Sequence, residues 1–387
     1  MREDVKRGTM EDRIRKLYVE VSSRCNLQCK MCFRHSWVGE RFGDLDPKMF
    51  KQLLEDTALN EAETVFFGGM GEPLVHPKLT EMVSLAAKAD KKVELITNGT
   101  LLGRDTIQAL LTAGISRIWV SIDELYENYD KIQIGSDFDL VRGNLETINT
   151  LRKGTNVRLG MTAVVMRDNI ASLRRIRDFA ERFQADDLNL SHMIPNRQED
   201  IAQALWPMCD VAGIKAYTDG KSPVWRFEKV DESIEFPMFK FSERYKKELF
   251  PNEESLLEAE LFSLKGKPVT RRINYCRFIE EGQSFVRWDG DVSPCMGLLH
   301  TADTYLGDHK RRIRHHSFGN VYRQSLEEIW NSEEYRNFRE RVHEFYFSPC
   351  LFCGGCEQLK ENETDCIGSP APTCGGCLWG QGFAVCP

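Results

Sequence analysis

Cys25, Cys29 and Cys32 stand in the run SSRCNLQCKMCFRHSW (22–37) at C-x₃-C-x₂-C spacing. Three thiols within eight positions are metal or iron–sulfur ligands by type, yet zinc and most iron–sulfur clusters take four protein ligands. Two completions are open. His35 can close a Cys₃His zinc site, or the three thiolates can hold a cubane of four irons whose fourth iron is left to a small molecule chelating through an amine and a carboxylate. A glycine-rich stretch, FFGGMGEPLVHP (66–77), bears on the choice: Gly69 and Gly71 let backbone approach a ligand closely, and Glu72 adds a carboxylate beside it. A zinc site gives no reason for that second loop.

The remaining cysteines are unevenly placed. Of thirteen, one stands alone at Cys209 and nine fall between Cys276 and Cys386, against eight histidines in the whole chain. Cysteines grouped as C-x₂-C with an odd total read as metal sites rather than a disulfide framework. The shortage of histidine favours iron–sulfur or Cys-only zinc. Cys209 reads as a small buried hydrophobe.

These side chains need a scaffold, and the chain alternates strand-like and helix-like segments from residue 17 to about 195. Strands are expected at 17–23, 63–69, 92–99, 116–123, 157–165 and 186–194, and helices at 46–59, 78–89, 104–114, 138–153 and 169–183. Strict β–α alternation implies an α/β fold with a parallel sheet and right-handed crossovers. Six units suit a partial (β/α)₆ barrel or an open doubly wound sheet, and both place ligands at the C-terminal strand ends. The three cysteines, GGMGEP, TNG, SID and SHMIP all follow a strand, so the chemistry-bearing residues share one address. Singly each has a plainer reading: GGMGEP as a turn, Asn98 as a helix-entry residue, Ser121 and Asp123 as caps, His192 as a satisfied core histidine.

The full organisation reads as an N-terminal extension (1–16), the βα region (17–195), an insertion or linker (196–270), and a cysteine-rich region (271–387) with one helix expected at 325–342. With 387 residues, 29% charged and 41% hydrophobic, the composition is that of an ordinary globular protein. A net charge of −7 spread along the chain gives no footprint for nucleic acid. The basic run 309–316 reads as a solvated surface or a contact for a small anion. No apolar run reaches membrane-spanning length, and the charged N-terminus lacks the apolar stretch of a signal peptide, so a cytoplasmic location is expected.

Taken together, the cysteine triplet after the first strand, GGMGEP after the second, ITNGT after the third and VSID at the fourth resemble the radical S-adenosylmethionine (radical SAM) enzymes over roughly residues 17–195. The resemblance implies a partial (β/α)₆ barrel with a [4Fe–4S] cluster on Cys25, Cys29 and Cys32, its fourth iron chelated by the methionine moiety of SAM. One-electron cleavage of SAM then gives a 5′-deoxyadenosyl radical that takes hydrogen from substrate, with the electron from a reducing partner such as ferredoxin or flavodoxin under anaerobic conditions. It also implies that Gly69, Met70, Gly71 and Glu72 contact the methionine end, Asn98 and Ser121 the ribose or carboxylate, and Phe33 the adenine. No protein side chain is singled out as catalytic. Many relatives carry arginine where this chain has Gln133, so that contact is not carried over.

The C-terminal region resembles the SPASM extension of radical SAM enzymes: Cys276, the Gly290-x₄-Cys295 unit, GNVYRQSLEEIWNS, then a contracted Cys350-x₂-Cys353-x₂-Cys356 group followed by Cys366, Cys374, Cys377 and Cys386. That extension implies one or two auxiliary iron–sulfur clusters. Cys276 and Cys295 are expected to share one and Cys350 and Cys353 to belong to another, with Trp379 packing over cluster sulfur. A structural Cys₄ zinc ribbon is the plainer alternative. The closing pattern looks most like the maturases encoded alongside tungsten-containing aldehyde oxidoreductases, which implies a peptide, protein or pterin-cofactor substrate. The alternatives are a peptide maturase unconnected with tungsten, forming thioether or carbon–carbon links or formylglycine, and a non-catalytic iron–sulfur electron carrier or scaffold.

Overall fold

The computed structural model describes residues 10–205, 274–348, 350–351 and 357–387. Cys209, Cys353, Cys356 and nearly all of the expected insertion at 196–270 lie outside the described residues.

All six expected strands form: β1 (Lys16–Val19), β2 (Thr64–Phe67), β3 (Lys92–Thr97), β4 (Arg117–Ser121), β5 (Arg158–Val165) and β6 (Asp187–His192). They pair in sequence order and in parallel. Their apolar runs, such as TVFF in β2, suit a sheet covered on both faces. The crossovers carry α1 (Pro47–Leu54), α2 (Leu79–Lys88), α3 (Arg104–Ala113), α4 (Tyr129–Ile132), α5 (Phe138–Leu151) and α6 (Leu173–Arg182). Their ends follow local chemistry. Asp46 caps α1 ahead of Pro47, Asp137 caps α5, and Gly114 ends α3 in a left-handed conformation.

The sheet is larger than the six units predict. The cysteine-rich region opens with α7 (Arg277–Glu280) and then supplies β7 (Gln283–Val286), which pairs in parallel with the free side of β1, and β8 (Val292–Ser293), antiparallel to β7. The order is therefore β6-β5-β4-β3-β2-β1-β7-β8. Tyr18 of β1 stacks on Phe285 of β7 with centroids 4.3 Å apart, so the two regions share one core.

A hairpin of β9 (Ala302–Leu306) and β10 (His309–Ile313) follows, then α8 (Leu326–Trp330) and α9 (Glu333–Glu344). The single helix expected at 325–342 is broken because the Ser332 hydroxyl caps a new start, accepting from the Tyr335 amide. Asp56, in the βα region, accepts from the Leu326 and Glu327 amides at 2.6 and 3.1 Å and so caps α8 across the interface. The closing segment bridges β6 and β1. The His192 amide donates to the Phe383 carbonyl, the Val385 amide to the Ser191 hydroxyl, and Lys16 Nζ and the Tyr18 hydroxyl to the Pro387 backbone oxygen. Among the described residues no helix is long and apolar enough to cross a membrane.

Candidate functional site

The loop after β1 carries the three thiols and is held on several sides. Gln28 and Lys30 amides donate to Ile134 and Ile132, Arg34 reaches the Leu27 carbonyl, and Asn196 and Arg197 reach the Met31 and Lys30 carbonyls. The Leu27 amide points at Cys25 Sγ, 3.4 Å away, an N–H of the kind that stabilises a thiolate or cluster sulfur. His35 spends its Nε2–H on the Cys29 carbonyl at 2.9 Å, which takes that nitrogen out of the ligand set. Burial pushes the Cys25 and Cys29 thiols up, so ligation must displace their protons.

The second loop explains its glycines by contact. A Cβ on Gly71 would lie 2.1 Å from the Ser22 carbonyl and 2.6 Å from that of Arg24, so only glycine lets this loop rest on the backbone leading to Cys25. Glu72 is buried and binds the strand ends together. Its Oε1 accepts from the Leu74 amide at 3.0 Å and the Thr97 hydroxyl at 2.8 Å, and its Oε2 from the Asn98 amide at 2.8 Å. Burial pushes its carboxyl up to about 7 against those three bonds. Asn98 in turn donates to Asn26 at 2.9 Å, beside Cys25.

Register sets the third wall. Ser121 of β4 pairs with Thr162 of β5, and Thr162 with Asn189 of β6, giving a polar row. Tyr18, Phe66 and Ile96 of β1–β3 line the same cavity. Gln133, where many relatives carry arginine, uses its amide as a clamp on the β4 end: Nε2 donates to the Ser121 carbonyl and Oε1 accepts from the Asp123 amide, each at 3.2 Å. Asp123 is buried, which pushes its carboxyl up to about 7 even though it accepts the Val164 amide at 2.7 Å.

All ten residues read from the strand-end motifs (Cys25, Cys29, Cys32, Phe33, Gly69, Met70, Gly71, Glu72, Asn98 and Ser121) line a single cavity of about 300 Å³. His192 lines it as well. So does Cys386, which sequence had grouped with the C-terminal thiols. The three loops' thiols, glycine cradle and polar row enclose a volume at the lower end of the small-molecule range.

A second, smaller cavity of about 60 Å³ is lined by Cys295, Cys374 and Cys377. Cys276 joins this group: Tyr275 donates to the Gly380 carbonyl and Gln381 to Asn274, tying the start of α7, where Cys276 is the N-cap, to the turn carrying Cys377. Cys350 and Cys366 meet at Ser348, whose carbonyl accepts the Cys350 amide and whose hydroxyl lies 2.9 Å from Cys366 Sγ; a Cβ on Gly375, next to Cys374, would lie 1.9 Å from that same carbonyl. Trp379 lines both cavities and stacks near Phe33, with centroids 5.9 Å apart.

Two features escaped the sequence reading. Arg311, within the run taken for solvated surface, is buried and donates to the Leu359 and Gly376 carbonyls near Cys350, Cys374 and Cys377. Glu20 and His300 form a buried pair under the second loop; a lone carboxylate inside the apolar strand run LYVEV was the available signal.

Comparison with known proteins adds independent findings. The family model "Radical SAM superfamily" matches residues 19–180, and "Iron-sulfur cluster-binding domain" (SPASM) matches 276–357. The chain is 30% identical over 381 residues to the tungsten-containing aldehyde ferredoxin oxidoreductase cofactor-modifying protein of Pyrococcus furiosus, covering 96% of each. It is 25% identical over 319 residues to the Fe-coproporphyrin III synthase of Methanosarcina barkeri, covering 80% of this chain and 72% of that one. Among solved structures, native anSMEcpe with bound AdoMet and Cp18Cys peptide shares the fold at TM-score 0.55 and 19% identity, covering 95% of this chain and 94% of that one.

Proposed function

The chain belongs to the radical SAM superfamily and carries a SPASM domain, and from that premise we propose that it cleaves SAM reductively and takes hydrogen from a substrate connected with the cofactor of a tungsten-containing oxidoreductase. The radical SAM domain binds a [4Fe–4S] cluster and SAM, and the SPASM domain binds auxiliary iron–sulfur clusters. The observation that carries the reading is the convergence of the cysteine loop, GGMGEP, Asn98 and Ser121 on one cavity. The donor set fits the group: three soft thiols on one loop, the His35 Nε2 spent on the Cys29 carbonyl, and a glycine cradle beside them that any Cβ would fill.

In this reading Cys25, Cys29 and Cys32 would hold the cluster, which, with SAM bound and an electron from a ferredoxin or flavodoxin, would supply hydrogen-abstracting radical chemistry. The protein's own part is placement and exclusion of water. Gly69–Gly71 present backbone to the methionine end, and burial raises the Glu72 and Asp123 carboxyls to about 7, so that a ligand amine facing either one would favour its carboxylate form. Ser121, Thr162 and Asn189 offer hydroxyl and amide groups to a polyol or polar substrate edge. Tyr18, Phe66 and the closing segment keep their side dry. Cys276, Cys295, Cys374 and Cys377 are assigned to one auxiliary centre. Cys350 and Cys366 are assigned to a second, which Cys353 and Cys356 would complete.

The relative's tungsten-cofactor role is what selects the substrate class here. The test is anaerobic reconstitution with dithionite and SAM: formation of 5′-deoxyadenosine is expected, and its absence overturns the activity. Supplying either the tungsten–pterin cofactor of a partner oxidoreductase or its protein and peptide components, and following mass change, separates the cofactor reading from a peptide-maturase one.

A further inference from the structure

Glu20, the residue after β1, and His300, five positions after Cys295, meet in a buried chain of charges. Glu20 and His300 are 2% and 3% exposed. His300 Nε2 lies 3.0 and 2.9 Å from the two Glu20 oxygens, and Nδ1 lies 2.9 Å from Glu40 Oε2. Trp37 covers the imidazole face with centroids 4.1 Å apart. Carboxylate oxygens only accept, so an imidazole donating to both carries both protons and is a cation. Glu40 is fixed on its other sides by the Thr301 amide at 2.7 Å and the Arg287 guanidinium at 3.3 Å.

Glu20 has a second task. Its Oε1 accepts the Met70 amide at 2.9 Å, and a Cβ on Gly69 would lie 2.6–2.7 Å from the Glu20 side chain. The carboxylate is thus the floor on which the GGMGEP loop sits, and His300 is what holds the floor in place.

We propose that His300 is a positioning residue for SAM: its bond to Glu20 fixes the Met70 backbone, so that the auxiliary-cluster region sets the SAM affinity of the barrel. The inference rests on the reading that Gly69–Glu72 hold SAM. The path is short and covalently continuous on the C-terminal side, from Cys295 through the Met296–Leu298 turn to His300.

The charge on His300 gives the link a pH signature. The charged groups facing it are Glu20, just after β1, and Glu40 from the loop after the cysteine turn, with Arg287, after β7, behind Glu40. Burial alone opposes the cation, but the two carboxylates together raise it to about 9. A base raised in the folded state stabilises fully below its ordinary value, about 6.5, and the contribution is lost as pH rises through about 9.

The experiment uses the reconstituted full chain, with SAM dissociation constants by equilibrium dialysis from pH 7 to 10 and iron and sulfide per chain on the same samples. Wild type is expected to lose SAM affinity near pH 9. His300→Gln can donate to only one carboxylate; at pH 8 its dissociation constant is expected to rise about tenfold, the worth of one charge-assisted bond, with iron unchanged and the step near pH 9 gone. Glu40→Gln keeps the Glu20 bond but removes one raising charge, so its step moves to lower pH. Affinity at pH 8 unchanged in His300→Gln, or a step that Glu40→Gln leaves in place, overturns the proposal. Should His300→Gln lose iron, the Glu40→Gln step alone decides. Wild type that carries full iron yet does not bind SAM overturns the reading of the loop itself, and this proposal with it.

Discussion

Gly71 rests against Ser22: the bare α-carbon of the second loop lies where a Cβ would fall 2.1 Å from the Ser22 carbonyl oxygen. The neighbour is backbone and cannot swing aside. Gly71→Ala must therefore separate the two loops by forcing the chain before Cys25 outward. The expected cost is about 1–3 kcal/mol of stability, as for other overpacked sites, with SAM affinity falling more than tenfold. Thermal unfolding of the apo chain and SAM dialysis of the reconstituted chain read the two effects separately. Unchanged SAM binding would show that the two loops do not act as one.

Glu72→Gln asks whether the carboxylate works as an organiser. Gln keeps one carbonyl oxygen for Leu74 and Thr97, but its amide group cannot accept the Asn98 N–H. The orphaned buried donor is expected to cost about 1–3 kcal/mol in thermal or denaturant unfolding, before any ligand is present. Glu72→Asp shortens the arm and is expected to lose the Asn98 bond while retaining charge. If both variants unfold like wild type, the three bonds to Glu72 contribute nothing measurable.

Much of this site was legible because its residues are tied to local signals. The six strands announced themselves as short apolar runs between helical periods, and every motif sat just after one. Pairing between distant segments left no such trace. QSFV at 283–286 joins β1 through contacts more than 260 residues away in sequence, and nothing in those four residues names their partner. The break at Ser332 depended on a hydroxyl choosing the Tyr335 amide, and the placement of Cys386 in the first cavity depended on the closing segment crossing from β6 to β1. Arg311 was misread for the opposite reason. Its neighbours Lys310 and Arg312 do pair at the surface with Asp303, and alternation along β10 turns Arg311 inward on the face it shares with Ile313.

The thiol partition predicts separable iron. Cys→Ala at 25, 29 or 32 is expected to abolish 5′-deoxyadenosine formation and remove about one cluster's worth of iron, leaving the auxiliary iron in place. Cys276→Ala or Cys377→Ala is expected to remove auxiliary iron while the SAM-dependent change in the low-temperature EPR spectrum of the reduced cluster persists. Cys386→Ala, on the wall of the first cavity, is expected to leave auxiliary iron intact. Iron analysis and EPR on the same preparations check all three. Loss of all iron from any single variant would mean that the thiols do not divide as assigned.

Arg311 sits where a buried cation meets the auxiliary thiols. Burial lowers its guanidinium from the ordinary value, and nearby Cys350, Cys377 and Cys374, once thiolates, oppose that shift. A clustered set of thiolates carries net negative charge, and a fixed cation beside it stabilises the reduced form. Arg311→Met is therefore expected to move the reduction potential of an auxiliary centre to more negative values, by on the order of tens of millivolts. It also strands the Leu359 and Gly376 carbonyls, so a stability loss of about 1–3 kcal/mol should accompany it. Arg311→Lys separates the two effects, because it restores the charge but not the two-ended span between the carbonyls. It should recover much of the potential and little of the stability. Redox titration followed by EPR, alongside thermal unfolding, gives both readings. A potential that stays put in Arg311→Met would place the cation too far from either auxiliary centre to tune it.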